Sequence, residues 1–83
     1  MKAIFWKSKA LRQLRKIGDR NVRQEIFKAV DTLKCFPVCP NVKKVKNTEL
    51  FRLRVGRWRV LFTEALEIVT VEEVKKRDER TYK

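Results

Sequence analysis

Residues 51–62 alternate apolar and basic side chains on both sides of a single glycine, Gly56. A period of two is typical of a strand with one buried face, and a glycine between two such runs favours a tight turn. The sequence therefore predicts a β-hairpin. If its loop has an even number of residues, pairing gives one apolar and one basic face. The apolar face would hold Phe51, Leu53, Trp58, Val60 and Phe62, and the basic face Arg52, Arg54, Arg57 and Arg59.

The basic face of this hairpin indicates a polyanionic partner. Like charges that lie opposite and diagonal to one another repel, so a sheet selected only for stability would interleave glutamate. Between Lys43 and Arg59 there are seven basic residues and a single acidic one, Glu49. The whole chain carries a net charge of +12 over 83 residues, which opposes folding through self-repulsion. Phosphate is the predicted partner, and an acidic protein is the alternative.

The length predicts one small domain over residues 1–83 with a single core. Residues 3–6 have strand propensity and are few enough for an edge strand. Ser8 is predicted to cap a first helix, which Gly18 would end. Asn21, with a glutamine three residues later, resembles the capping box of a second helix that ends before Pro37. Two consecutive helices of this kind predict an antiparallel helical hairpin.

The second half of the chain has the composition of strands. Residues 36–41 contain both prolines and are predicted to form a connector. Residues 42–46 would form a short strand or an ordered approach to the hairpin. Residues 66–74 indicate a turn and one long, partly central strand. The polar segment 75–83 would ordinarily be expected to fray.

Several classes of protein are excluded by the composition. No apolar run approaches the roughly 20 residues of a membrane span, and no signal-peptide pattern opens the chain, so we expect a cytoplasmic protein with no membrane partner. Cys35 and Cys39 lack the spacing of a redox pair, and the chain has no histidine. We therefore expect two free thiols, no metal site and no cofactor.

The order strand, helix, helix, basic β-meander resembles the RelE/ParE superfamily of toxins from toxin-antitoxin pairs. The resemblance rests also on residues 51–54, on residues 56–60 and on the basic tail that runs from Lys76 to Tyr82. It implies an α+β fold in which an N-terminal strand and an antiparallel helical hairpin precede a twisted antiparallel β-meander, with four or five strands. It also implies a type II toxin with a cognate acidic antitoxin. The RelE branch cuts messenger RNA in the ribosomal decoding site, and the ParE branch poisons DNA gyrase.

The resemblance also implies site residues. Arg54 and Arg59 would hold the scissile phosphate, and Arg77 would neutralise charge on the leaving oxygen. Tyr82 would stack on a base or orient the sugar. The catalytic set implied in this way is Arg52, Arg54, Arg59, Arg77 and Tyr82. The implied RNA-binding set, which would touch messenger and ribosomal RNA, is Lys43, Lys44, Lys46, Arg57 and Arg80.

The chemistry of these residues favours the RelE branch, as a metal-independent, ribosome-dependent endoribonuclease. A positive cluster can stabilise the phosphorane-like transition state without histidine. Arg52 stands where relatives often have lysine, and arginine is a poor general base. The base is therefore left open between Lys46, Lys44, Tyr82 and a ribosomal group. Two alternatives remain: a ParE-like gyrase inhibitor, which would not need these arginines to converge, and a toxin homologue that binds RNA without cutting it.

Overall fold

The computed structural model describes residues 1–76. The helices and strands follow one another as the sequence predicts, and a short 3₁₀ helix at Thr32–Cys35 continues the second helix. The elements are β1 (Ala3–Trp6), α1 (Ser8–Arg15), α2 (Arg20–Asp31), β2 (Val42–Lys44), β3 (Phe51–Val55), β4 (Trp58–Ala65) and β5 (Ile68–Lys76). The predicted α+β class is thereby confirmed.

The strands form one five-stranded sheet in the order β1-β5-β4-β3-β2. Its last four strands along the chain pair antiparallel, as predicted for a meander. The N-terminal strand makes the sheet mixed, because β1 pairs parallel with β5, with Ala3 opposite Ile68 and Trp6 opposite Val71. Parallel neighbours need a long crossover connection, and here α1, α2 and the meander provide it. As a result, β1 is an edge strand and β5 is central.

The hairpin around Gly56 has the predicted register. Arg54 lies opposite Arg59 and Val55 opposite Trp58, so the loop contains two residues. Gly56 has a φ of +57°, a left-handed conformation that glycine adopts without steric penalty. The other loop residue is Arg57. Its prediction as part of the strand's basic face was therefore wrong, since it belongs to the turn.

A β-bulge interrupts the pairing of β4 with β5. Leu61 pairs with Glu73 but Phe62 pairs with Val71, so Glu72 is the extra residue on β5. A bulge of this kind lets two successive side chains share a face. It explains why Val71 and Val74, which are three positions apart, are both buried. The bulge brings Glu72 and Glu73 together on the opposite face of the sheet.

The core lies between one face of the sheet and the two helices. Phe62 is fully buried at its centre, with ring centroids 5.5 Å from both Phe36 and Phe51. Every alternate residue of the hairpin predicted to be apolar packs into or against this core. The buried set is Ala10, Leu14, Ile17, Ile26, Val30, Leu33, Leu53, Val55, Val60, Phe62, Val69, Val71 and Val74.

The helix boundaries differ from those predicted. Asp19 is the N-cap of α2, and its Oδ1 accepts hydrogen bonds from the backbone N–H of Asn21 at 2.8 Å and of Val22 at 3.3 Å. The prediction of Asn21 as the cap was wrong, because the carboxylate two residues earlier satisfies the first free N–H groups. Ser8 is the first residue of α1 and makes no capping bond. The helix ends before Gly18, with Lys16 as its C-cap.

Candidate nucleic-acid interface

The outer face of the sheet, opposite the helices, carries a row of three cations. Arg54 on β3 lies opposite Arg59 on β4, and Arg59 lies opposite Lys75 on β5. Directly opposed side chains in antiparallel strands have Cβ atoms about 5 Å apart. The two strand pairings therefore place three positive side chains in line across the sheet.

A second row runs beside the first. Lys43 on β2 lies opposite Arg52 on β3, which lies opposite Leu61 on β4. The row ends at Glu73 on β5. We use the term cationic plate for the five basic residues of the two rows, which are Lys43, Arg52, Arg54, Arg59 and Lys75. The plate is exposed at Lys43, Arg54 and Lys75 and half-buried at the other two positions.

The plate is slightly concave at its β2 margin. The backbone N–H of Arg54 donates to the carbonyl of Asn41 at 2.9 Å, which holds the segment before β2 against β3. A shallow depression follows, lined by Asn41, Val42, Lys43, Arg52 and Arg54. A second depression, lined by Arg52, Arg54, Gly56, Trp58 and Arg59, lies at the hairpin turn. Both are open and both are bordered by guanidinium groups.

The structure separates the predicted site residues into groups. It brings Arg52, Arg54 and Arg59 together, as predicted from the alternation, and places Lys43 beside them. Lys44 lies instead opposite Phe51, with its Nζ 5.6 Å from the centroid of that ring. Lys46 lies in the exposed segment after β2, and Arg57 in the hairpin turn. The remaining predicted residues, Arg77, Arg80 and Tyr82, lie outside the described residues.

Sequence reasoning missed two members of this surface. Lys75 was assigned to a fraying tail, whereas β5 continues through Lys76. Glu73 was not assigned to this face by the sequence pattern. The signal for both was the spacing of Val71 and Val74, since a departure from period two inside a strand indicates a bulge that changes which side chains face outward.

Glu72 forms a separate polar cluster at the β1 side of the outer face. Its carboxylate lies 2.7 Å from Lys7 Nζ and accepts a hydrogen bond from Thr63 Oγ1 at 3.0 Å. The hydrogen bond with the Lys7 ammonium holds the pKa of Glu72 below its ordinary value of 4.5, and the Thr63 hydroxyl acts in the same direction against the effect of partial burial. The carboxylate of Glu72 thereby neutralises the positive charge of Lys7 at the β1 side of the sheet.

This pKa shift predicts a pH dependence of stability. A carboxylate with a lowered pKa in the folded state stabilises that state above its unfolded pKa and loses this contribution as the pH falls through its folded pKa. We expect the free energy of unfolding to decline below about pH 4.5 more steeply in the natural protein than in Glu72→Gln. Urea unfolding from about pH 6 to pH 3 measures this. Parallel curves for the two proteins would show that Glu72 contributes nothing.

The two cysteines lie away from the plate. Cys39 Sγ donates to the carbonyl of Thr32 at 3.5 Å, and both thiols are free. Burial, followed by the nearby Cys35, raises the pKa of the Cys39 thiol. A raised pKa keeps the thiol protonated and unreactive at neutral pH. Within residues 1–76, no three cysteine or acidic side chains are grouped as metal ligands would be.

The plate has the chemistry of a phosphate-binding surface. Guanidinium groups match the geometry of a phosphate with two parallel hydrogen bonds, and all five plate residues lie on four adjacent strands of one sheet. Contacts from such groups to a nucleic-acid backbone carry no sequence information. None of the helices within the described residues is both long and apolar enough to cross a membrane.

Two helices on a mixed sheet, with cations on the outer face, define a small basic α+β domain. The sequence model of the family described as "ParE toxin of type II toxin-antitoxin system, parDE" matches residues 4–81, nearly the whole chain. The chain therefore belongs to this family, and the expected RelE/ParE superfamily membership is confirmed. Among curated proteins, no match is found.

Solved structures of toxins from both branches share the fold. The archaeal RelE-RelB complex from Pyrococcus horikoshii matches with a TM-score of 0.78 at 20% identity, over 94% of this chain and 97% of that chain. The isolated E. coli RelE toxin matches with a TM-score of 0.78 at 18% identity, over 95% and 87%. The ParDE system from P. aeruginosa matches with a TM-score of 0.78 at 15% identity, over 94% and 98%. The protein is thus similar in fold to RelE and ParE toxins alike.

Proposed function

We propose that this type II toxin is an endoribonuclease that cuts messenger RNA on the ribosome. The observation that carries the proposal is the row of Arg54, Arg59 and Lys75, with Arg52 beside it on the same face. This arrangement offers two or three donors to a single phosphate group. Inhibition of a protein target would not require arginines to converge in this way.

The proposed reaction is attack of a ribose 2′-OH on its own 3′-phosphate. The 2′ oxygen forms a bond to phosphorus, the bond from phosphorus to the 5′ oxygen of the next nucleotide breaks, and the products are a 2′,3′-cyclic phosphate and a 5′-OH. The proton leaves the 2′-OH, and the 5′ oxygen gains one. Arg54 and Arg59 would stabilise the added negative charge on the phosphate, which is the largest single task in such a site.

The group that removes the 2′-OH proton is part of the proposal and stays open among four candidates. Lys44 is the last residue of β2, and its Nζ lies over the Phe51 ring, away from the row of Arg54, Arg59 and Lys75. Lys46 lies in the segment that follows β2. Tyr82 is the third candidate. Arg77 belongs to the predicted catalytic set but is proposed to neutralise charge on the leaving oxygen, not to remove the proton. A ribosomal group is the remaining candidate, and it would make cleavage dependent on the ribosome. Lys43, Arg57 and Arg80 would add contacts to messenger or ribosomal RNA.

An antitoxin partner is supported by the toxin-antitoxin complexes among the similar structures. We propose that an acidic segment of the antitoxin covers the cationic plate, because an acidic chain is complementary to a surface of this charge. The segment would compete with RNA for the same cations. The free toxin would then cleave RNA, and the toxin-antitoxin complex would not, because the antitoxin segment occupies the same surface.

A second candidate function is inhibition of DNA gyrase. The family description names ParE, and the P. aeruginosa ParDE system shares the fold over almost the whole chain. This toxin would act on a protein target, and its growth arrest would be accompanied by DNA damage. It would not cut RNA. A toxin homologue that only binds RNA would show neither cleavage nor DNA damage.

Primer-extension mapping of a reporter message in a reconstituted translation reaction tests the proposal, with and without ribosomes. We expect cuts only on ribosome-bound message, each leaving a 5′-OH, and we expect them to disappear in Arg77→Ala. A toxin that arrests growth, induces the DNA-damage response and leaves the message intact would instead be a gyrase inhibitor. RNA binding alone, without either effect, would identify the non-catalytic homologue.

A further inference from the structure

Helix α1 carries its own row of cations. Lys9, Arg12 and Lys16 are spaced by three and four residues, so they lie on one side of the helix, and all three are exposed. Ala10 and Leu14, on the opposite side, are buried in the core. We use the term α1 row for Lys9, Arg12 and Lys16.

The α1 row is joined to the cationic plate through Glu73. The Oε1 atom of Glu73 lies 3.6 Å from Lys9 Nζ and 3.7 Å from Lys75 Nζ, so one carboxylate bridges the helix and the plate. Gln13 fixes the helix in this place, since its Oε1 accepts a hydrogen bond from the backbone N–H of Val74 at 2.7 Å. The contact is possible because β1 ends at Trp6 and leaves this part of β5 to α1.

The two surfaces form one continuous basic band. From β2 to β5 the plate spans about 14 Å at the usual strand spacing. Along the helix the α1 row adds about 10 Å. At the phosphate spacing of a stacked strand, the plate alone matches about four phosphates and the whole band about seven.

Helix stability does not explain the charge of Lys9 in the α1 row. Lys9 lies in the first turn, where the helix dipole disfavours a cation, and no acidic residue lies in that turn. Within residues 1–76, no carboxylate lies within 4.0 Å of Arg12 or Lys16. Like charges at these spacings also destabilise a helix.

We propose that the α1 row extends the phosphate-binding surface, so that a single strand of RNA bound at the plate continues past Glu73 and along α1. The ligand class is a single-stranded RNA backbone, bound through its phosphates without sequence preference. The inference rests on the proposed RNA-binding function of the plate and adds a second segment to it. Lys9 and Lys75 each keep part of their charge available, because they share one carboxylate.

The test measures how binding depends on salt and on RNA length. Fluorescence anisotropy with unstructured RNAs of four and ten nucleotides gives the dissociation constant at several salt concentrations. The variant is Lys9→Gln, Arg12→Gln and Lys16→Gln together. The slope of the logarithm of the binding constant against the logarithm of the salt concentration loses about 0.7 in magnitude per phosphate contact. We therefore expect this slope for the ten-nucleotide RNA to fall in magnitude by about 2. That change weakens binding by about tenfold to a hundredfold at about 0.1 M salt. The four-nucleotide RNA should be unaffected.

A matched control removes the same charge elsewhere. Arg15, Arg20 and Lys28 are exposed on the helices outside the band, and their change to glutamine also lowers the net charge by three. Equal losses in the two triple variants, or equal losses for both RNA lengths, would overturn the proposal in favour of a general effect of net charge. If the first variant is poorly folded by circular dichroism, Arg12→Gln with Lys16→Gln keeps the contact between Lys9 and Glu73, and a slope decrease of about 1.4 is expected.

Two further outcomes separate this proposal from its alternatives. If the α1 variant keeps its RNA affinity but binds polyglutamate less well than the control does, the row is a surface for an acidic protein and the proposal fails. Binding is measured without ribosomes and without cleavage, so it is independent of the proposed nuclease activity. If the slope changes as expected but the natural protein cuts no message, the proposal for the α1 row stands and the proposed nuclease function fails.

Discussion

Replacing Arg59 with alanine is expected to reduce ribosome-dependent cleavage of messenger RNA by about 10²- to 10³-fold. Arg59 lies at the centre of the row, between Arg54 and Lys75, so its guanidinium is the donor best placed for a phosphate bound at the middle of the plate. Loss of one such preorganised donor removes charge stabilisation at the moment when the phosphate gains negative charge. Single-turnover primer extension at saturating toxin measures the effect on the chemical step.

The controls for Arg59→Ala separate chemistry from stability. Arg59→Lys keeps a charge but loses the forked pair of donors, so it should recover only part of the rate. Arg20→Ala removes an exposed arginine from α2 and should cut at the natural rate. Urea unfolding of each variant establishes that it is folded under the conditions of the cleavage assay. Full cleavage by a folded Arg59→Ala protein would contradict a catalytic role for the plate.

Replacing Phe62 with alanine is expected to lower the free energy of unfolding by about 3–5 kcal/mol. Phe62 is fully buried and packs against Phe36 and Phe51, so truncation leaves a cavity bordered by two rings that cannot both move inward. A domain of this size has a total stability of only about 4–12 kcal/mol. The variant therefore loses a large fraction of its stability, and urea unfolding monitored by circular dichroism measures the change.

A matched change at an exposed phenylalanine provides the control. Phe5 is 57% exposed on β1, and Phe5→Ala should change the free energy of unfolding by less than about 1 kcal/mol. Similar losses in both variants would show that the aromatic cluster around Phe62 is not the centre of the core. Because Arg59 lies on the same strand as Phe62, partial unfolding of the Phe62 variant should also weaken RNA binding.

The hairpin was predictable because two independent signals agree there. The alternation of residues 51–62 determines which side chains face the core, and Gly56 determines where the strands turn. These two signals are enough to place Arg52, Arg54 and Arg59 on one face of the hairpin. They could not locate Lys75, whose position depends on how β5 pairs with β4.

The parts that could not be predicted are those set by tertiary contacts. The turn between β4 and β5 is formed by Leu66 and Glu67, and Leu66 has a φ of +56°, a conformation that its own propensity disfavours. The parallel pairing of β1 with β5 has no local signal, because it joins opposite halves of the chain. The ion pair between Lys9 and Glu73 could not be predicted either, since it depends on the bulge and on the docking of α1.

The pairing of β1 with β5 has a consequence for the order in which this protein can fold. β1, α1 and α2 are synthesised first, but their apolar side chains pack on a sheet in which β5, the internal strand between β1 and β4, comes last among the described elements. Contacts between distant parts of a chain form slowly, after the loops between them have closed. The row of Arg54, Arg59 and Lys75 likewise needs β5 in place. We therefore expect the nascent chain to acquire the cationic plate, and with it the proposed activity, only after β5 has left the ribosome and joined the sheet.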